Sequence, residues 1–309
     1  MRITIRIAAT ALVAILVAAC SAGASPSPVP TEPGVPSASA ASSASPTPDA
    51  CAKESLALVT AGTLTIGTDN PAYPPYFDPD PADPAWELGN PTNGKGFESA
   101  VAYAVAGQLG FAADEVTWVA VKFDNAYAPG PKTFDFDINQ VSFTPERAQT
   151  ADLSDGYYFL NQSLVAIAGT PIAEARSVAD LAGYQFGAQA GTTSYDTIVN
   201  VIKPTKEPRV YDSNDAAIEA LKNTQIDGLV VDLPTAFFVT AVQVENGAIV
   251  GQFPPTDGEQ EHFSLVLTKD SPLTDCVNQA LADLEADGTL EQITQEWLAD
   301  KVNAPVFEP

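Results

Sequence analysis

Arg147 stands in the stretch QVSFTPERAQTADLSDGYY, residues 140–158, among neighbours that argue against it. Thr144 followed by Pro145 reads as a helix start: a hydroxyl at the N-cap accepts a bond from a free backbone N–H, and proline suits the first helical position. Arg147 then falls at the third helical position, where a cation faces the positive end of the helix dipole. Such a guanidinium is either paired at the surface, with Asp152 or Asp155, or it waits for an anion from outside. Few other chemistries find residues here. The chain has one histidine, His262, and no Cys/His spacing for a metal, so neither metal nor cofactor is expected. No pair of groups for general acid–base work is evident.

The whole chain has 309 residues and a net charge of −25, from 14 Lys+Arg against 39 Asp+Glu. This balance argues against nucleic acid, which needs clustered basic residues, and against attachment to anionic lipid through a basic patch. The first residues, MRITIRIAATALVAILVAAC, combine Arg2 and Arg6 with an apolar run from Ile7 to Val17, which reads as a signal peptide, residues 1–19. Val17-Ala18-Ala19-Cys20 is similar to the bacterial lipobox, so Cys20 is expected to carry lipid and tether the protein outside the cytoplasmic membrane. Residues 20–50 then form a Ser/Ala/Pro-rich tether without the apolar content to fold. Fully extended, it could reach on the order of 90 Å. With Cys20 given to lipid, Cys51 and Cys276 remain, and two cysteines in an oxidising compartment are expected to pair.

From Cys51 onward the pattern is globular. Apolar runs at 64–68, 116–121, 138–143, 163–168, 184–189, 209–212, 228–233 and 264–268 predict strands. Helical periodicity predicts helices over 97–110, 196–202, 214–223 and, as one long element, 276–300, with another starting at Thr144. Strands alternating with helices imply parallel sheets covered on both faces, with ligands at the carboxyl ends of strands.

Several segments, in order, resemble the polar-amino-acid class of bacterial extracellular solute-binding proteins, the receptors of ABC importers. They are GTLTIGTDNPAYPPYFD (62–78), GKGFESAVAYAVAGQLGF (94–111), INQVSFTPERAQTADLSDGYY (138–158), AGTTSYDTIV (190–199) with IDGLVVD (226–232), and DGTLEQITQEWL (287–298). The resemblance spans about residues 52–304. It implies an α/β fold of the type II periplasmic-binding-protein kind: two lobes, each with a mostly parallel sheet flanked by helices, joined by two crossover hinge strands. Lobe 1 would be 52–160 plus 263–309, and lobe 2 would be 161–262. Both Cys51 and Cys276 then fall on lobe 1, so their bridge would leave the hinge free.

The resemblance also implies the site. Arg147 takes the position that pairs with a ligand's α-carboxylate, for which a planar fork of donors is suited. Ser142 matches a serine that helps hold the carboxylate or ammonium, and Asn139 and Gln140 fill neighbouring cleft positions where serine or glycine is often found. Thr192 and Thr193, after Gly191, match a loop whose backbone N–H groups cap the carboxylate. Asp232 matches the acid that binds the α-ammonium. Tyr73 matches an aromatic over the ligand side chain, and Asp69 an acid that in some members contacts a basic side chain; Phe123 either walls the pocket or packs the core. The loop 78–93, DPDPADPAWELGNPTN, is longer than usual, and Trp86 within it either covers the cleft or packs on the lobe. The function implied is capture of a free polar amino acid, basic or amide-bearing, by a monomer that delivers it to membrane permease subunits, without catalysis. The alternatives are a periplasmic dehydratase-like enzyme on the same fold and a ligand-presenting sensor.

Overall fold

The computed structural model describes residues 50–80, 84–255, 260–298 and 304–308. The signal segment, Cys20 and residues 21–49 of the tether lie outside the described residues. The described residues belong to one compact unit. Its strands are β1 (Leu64–Thr68), β2 (Val116–Ala120), β3 (Phe136–Asp137), β4 (Ala151–Leu160), β5 (Gln162–Ile167), β6 (Phe186–Gln189), β7 (Arg209–Tyr211), β8 (Gly228–Asp232), β9 (Gly247–Gln252) and β10 (Glu261–Thr268). Its helices are α1 (Phe97–Gln108), α2 (Phe123–Tyr127), α3 (Thr193–Thr197), α4 (Asn214–Lys222), α5 (Leu233–Phe238), α6 (Thr274–Ala286) and α7 (Thr289–Leu298).

Two five-stranded sheets result, ordered β2-β1-β3-β10-β4 and β7-β6-β8-β5-β9. Each is mixed rather than mostly parallel. The β2-β1-β3 and β7-β6-β8 portions are parallel, while β10 pairs antiparallel with β3 and β4, and β5 with β8 and β9. The antiparallel part exists because the chain changes sheets there: β4 ends at Leu160, β5 starts at Gln162, and β10 returns at Glu261 opposite Leu160. Each sheet has a core on both faces. In the first, α1, α6 and α7 bury Phe97, Val101, Val105, Leu281 and Leu298 against Leu64, Ile66 and Phe136. In the second, α4 and α5 pack Ile218, Leu221 and Ala236 against Val165, Leu229 and Val231. On its other face Phe186, Ile198 and Ile202 pack together.

Three expectations give way. The helix started by Thr144-Pro145 is a single 3-10 turn, Arg147–Gln149, although Thr144 Oγ1 does accept the N–H of Arg147 at 3.2 Å. From Ala151 the chain is recruited into β4, and pairing along β10 overrides the local helix signal. The strand expected at 138–143 does not form: the strand is Phe136–Asp137, just before it, and the backbone then turns at Gln140, whose φ is +49°. The long helix at 276–300 is broken by Gly288 at φ +82° into α6 and α7, as a glycine C-cap does.

The lobe boundary is also corrected at the C-terminus. Residues 304–308, expected with the first lobe, join the second sheet. Gln252 donates its N–H to Pro305 O and accepts that of Phe307, and Glu308 accepts the N–H of Val178. The cause is Phe307, buried against Phe253 and lying where a Cβ on Gly251 would collide with its ring. Cys51 and Cys276 form a disulfide beside the first core. Trp86 packs partly buried on that same core, which answers the question posed by its loop. Among the described residues no helix is long and apolar enough to cross a membrane.

Candidate functional site

The site is assembled from loops at strand ends. Asp69 and Tyr73 follow β1, Gln140 and Ser142 lie between β3 and the Arg147 turn, Thr192 and Thr193 open α3 after β6, and Asp232 ends β8. All eight residues expected from the sequence line one pocket between the two sheets, with Phe123 and Asn139 beside them.

Arg147 is buried, with 6% of its surface exposed. One guanidinium nitrogen donates to Ser142 O, and the other donates to Gly191 O at 2.8 Å, from the second lobe. Its carbon lies 4.6 Å from the Tyr127 ring centre and 5.5 Å from that of Phe123, so two aromatic faces hold its plane. The surface pairing weighed from the sequence is absent. Asp152 bonds instead to Lys269 and Thr274, and no acid among the described residues forms an ion pair with Arg147. A buried cation served only by neutral carbonyls is set to receive an anion. No opposing helix dipole acts on Arg147, since one 3-10 turn offers little dipole.

Gly191 lies close against the first lobe: a Cβ there would meet Tyr127 Oη at 2.8 Å and Asp124 Oδ1 at 3.1 Å, and its φ is +70°. Next to it Thr192 caps α3, its hydroxyl accepting the N–H of Tyr195 at 3.2 Å and donating to Gln189 O at 2.8 Å. The first N–H groups of a helix have no partner within it. The lobes also touch where Tyr76 and Thr235 hydroxyls lie 3.1 Å apart, and where Tyr73 bonds the Asp215 carboxylate, an acid that with burial raises the Tyr73 phenol.

The acids of the pocket differ in their surroundings. Asp69 Oδ1 accepts the N–H of Asn70 at 2.8 Å, the behaviour of a turn acid, and burial raises its carboxyl despite that bond. Asp232 is pushed up to about 8, first by burial and then by the charge of Glu261. Gln162 Nε2 donates to Asp232 at 2.8 Å.

Glu98, Gln162 and Glu261 belong to the site and were not anticipated. Glu98, wholly buried at the start of α1, accepts the N–H of Gln140 at 2.7 Å, together with the Gln140 side-chain amide and the Tyr157 hydroxyl. Burial pushes it up to about 7 against these donors. The only signal was an acid on the apolar face of that helix. Glu261 accepts from Ser142 Oγ at 2.5 Å and from Thr193 Oγ1 at 2.6 Å. The pocket itself is small, about 40 Å³; a neighbouring cavity of about 360 Å³, lined in part by Gln162, Asp196, Asn200 and Glu261, lies beside the crossovers.

A polar pocket between two α/β lobes, with a buried arginine facing half-buried acids, is a ligand trap rather than a surface. The model of the bacterial extracellular solute-binding proteins, family 3, matches residues 64–300. The chain belongs to this family. Among solute-binding relatives, a probable histidine-binding protein of Campylobacter jejuni is 27% identical over 244 residues, which are 77% of this chain and 86% of that one. The L-cystine-binding protein TcyJ of Escherichia coli is 26% identical over 78% of this chain and 84% of its own length. A solved structure of an ancestral arginine-binding protein bound to arginine superposes with a TM-score of 0.62 at 28% identity, covering 77% of this chain and 98% of that one. The family is extracytoplasmic by its description, and these relatives are named as binding proteins.

Proposed function

We propose that this solute-binding protein captures a free amino acid and hands it to an ABC importer. Arg147, Ser142 and the start of α3 at Thr192–Thr193 would hold the α-carboxylate, and Asp232 the α-ammonium. Tyr73 would cover the side chain, and Asp69 would face its far end. The observation that carries this reading is the buried Arg147 without an acidic partner, in one pocket with seven other residues matched to an amino-acid site. The names of the relatives, which include histidine-, arginine- and L-cystine-binding proteins, support the ligand class.

The side chain preferred is polar, cationic ahead of amide. A zwitterion brings one charge of each sign, yet the lining holds Asp69 and Asp232, joined by Glu261 at its wall, against Arg147 alone among these groups. Binding closes the lobes by interactions that exist only when both face the ligand. In the cell, Cys20 would carry the lipid, residues 20–50 would be the tether, and a monomer would dock on permease subunits. Calorimetric titration with the twenty amino acids tests the reading: binding of at least one basic or amide amino acid is expected, and binding of none overturns it.

A further inference from the structure

The amide nitrogen of Gln162 sits inside a cage of oxygens. Asp232 Oδ1 lies 2.8 Å away, the two Glu261 oxygens 3.1 and 3.2 Å, and Thr193 Oγ1 3.3 Å. The other end of the amide is pinned, its oxygen accepting from Ser194 Oγ at 2.7 Å. A primary amide has only two protons to share and no charge to set against two carboxylates. The remaining donors to Glu261, the hydroxyls of Ser142 and Thr193, are neutral as well. Arg147 forms an ion pair with neither acid: two of its N–H groups donate to Ser142 O and Gly191 O, and the rest remain for a ligand's carboxylate. No ion pair among the described residues includes Asp232 or Glu261. A metal does not fit either: no group of three metal-ligating side chains occurs among the described residues.

An alkylammonium fits this cage better than the amide does. It has three protons for four oxygens and a full charge for two carboxylates, and charge-assisted bonds are about twice as strong as neutral ones. We propose that Glu261 is a ligand-binding residue: with Asp232 it forms a two-carboxylate ammonium site whose place Gln162 Nε2 holds until a ligand arrives, and this second carboxylate makes the protein favour ligands of net positive charge. The inference rests on the reading of the chain as an amino-acid-binding protein and assigns a role that the sequence pattern did not reach. Glu261 enters the site from the returning crossover, so its side chain meets Ser142 of the first lobe and Thr193 of the second at once. An ammonium bound there would be read by both lobes together.

The test is calorimetric titration of the folded protein and of Glu261→Gln with arginine, lysine, glutamine and the diamine cadaverine, which has ammonium groups and no carboxylate. The expected result is a loss of about tenfold or more for all four ligands in the variant, since each brings an ammonium to the cage, with a larger loss for arginine, lysine and cadaverine, whose net positive charge also meets Glu261. An equal loss for all four ligands, or unchanged affinities, overturns the proposal. Tighter binding of the three amino acids in Glu261→Gln also overturns it, because Glu261 would then be a competitor for the ligand's carboxylate. A wild type that binds cadaverine but no amino acid, with cadaverine weakened in the variant, keeps the cage and removes the amino-acid reading. If Glu261→Gln fails to fold, Glu261→Asp, which withdraws the carboxylate and keeps its charge, is expected to show a smaller loss in the same order of ligands; a reversed order overturns the proposal.

Discussion

The carboxylate of Glu98 accepts the main-chain N–H of Gln140 at 2.7 Å, joining the start of α1 to the loop that carries Ser142 and leads to Arg147. Glu98 also holds the Gln140 side chain and the Tyr157 hydroxyl, so one buried group fixes a residue whose φ of +49° is costly for a side chain with a Cβ. Glu98→Ala leaves these donors unpaired. It is expected to destabilise the protein by about 2–4 kcal/mol and to weaken ligand binding as the loop relaxes. Denaturant unfolding and titration measure the two; a stable variant with full affinity would show that the loop holds itself.

Stability should depend on pH with a definite sign. Glu98 is raised to about 7 and Asp232 to about 8, from ordinary values of 4.5 and 3.8, in both cases by burial first. The folded state therefore favours the protonated form of each. Their contribution is fully present below the ordinary values and is lost as pH rises through 7 and 8. The melting temperature of the unliganded protein is expected to fall between pH 5.5 and 8.5 (about the span of both titrations). A cation bound at Asp232 favours the ionised form, so its affinity should rise across the same window. Scanning calorimetry with and without arginine reads both slopes, and a flat profile contradicts them.

Arg147→Lys keeps the charge and removes the fork. The expected outcome is a loss of affinity for the amino acid of about a hundredfold or more, since a single ammonium cannot make two parallel bonds to a carboxylate. The unliganded fold should change by less than about 2 kcal/mol, because the bonds lost are to the carbonyls of Ser142 and Gly191. An unliganded variant that unfolds would assign Arg147 a structural role instead.

The Cys51–Cys276 bridge joins two segments 225 residues apart on the first core. Replacing both cysteines by serine is expected to cost about 2–5 kcal/mol. Ligand affinity should stay within about threefold, because both cysteines lie on one side of the cleft. A large change in affinity would mean that the bridge constrains the hinge.

Much of this architecture was legible in the sequence, for reasons that differ by element. Strands β1 and β8 read as short apolar runs, and α1 as a helix with Phe97, Val101 and Val105 on one face, because burial alone fixes such elements. The segment ADLSDGYYFL did not read as β4. The helix start read at Thr144–Pro145 leads toward it, and the partner that makes it a strand lies more than a hundred residues away. The ligand loops were legible by family resemblance, and all eight expected residues do meet at one pocket. Glu98 escaped because an acid in the first turn of a helix already has an ordinary explanation in the dipole. Glu261 escaped because no local pattern shows which way a crossover aims a side chain.

The C-terminal segment bears on how the two lobes move. Helix α7 packs on the first core through Leu290 and Leu298, and by Ala304 the chain has reached the second sheet, where Phe307 is anchored. Two crossovers define an axis, about which one lobe is free to swing. Helix α7 belongs to the first lobe and Phe307 to the second, so the chain passes between the lobes a third time, besides the two crossovers.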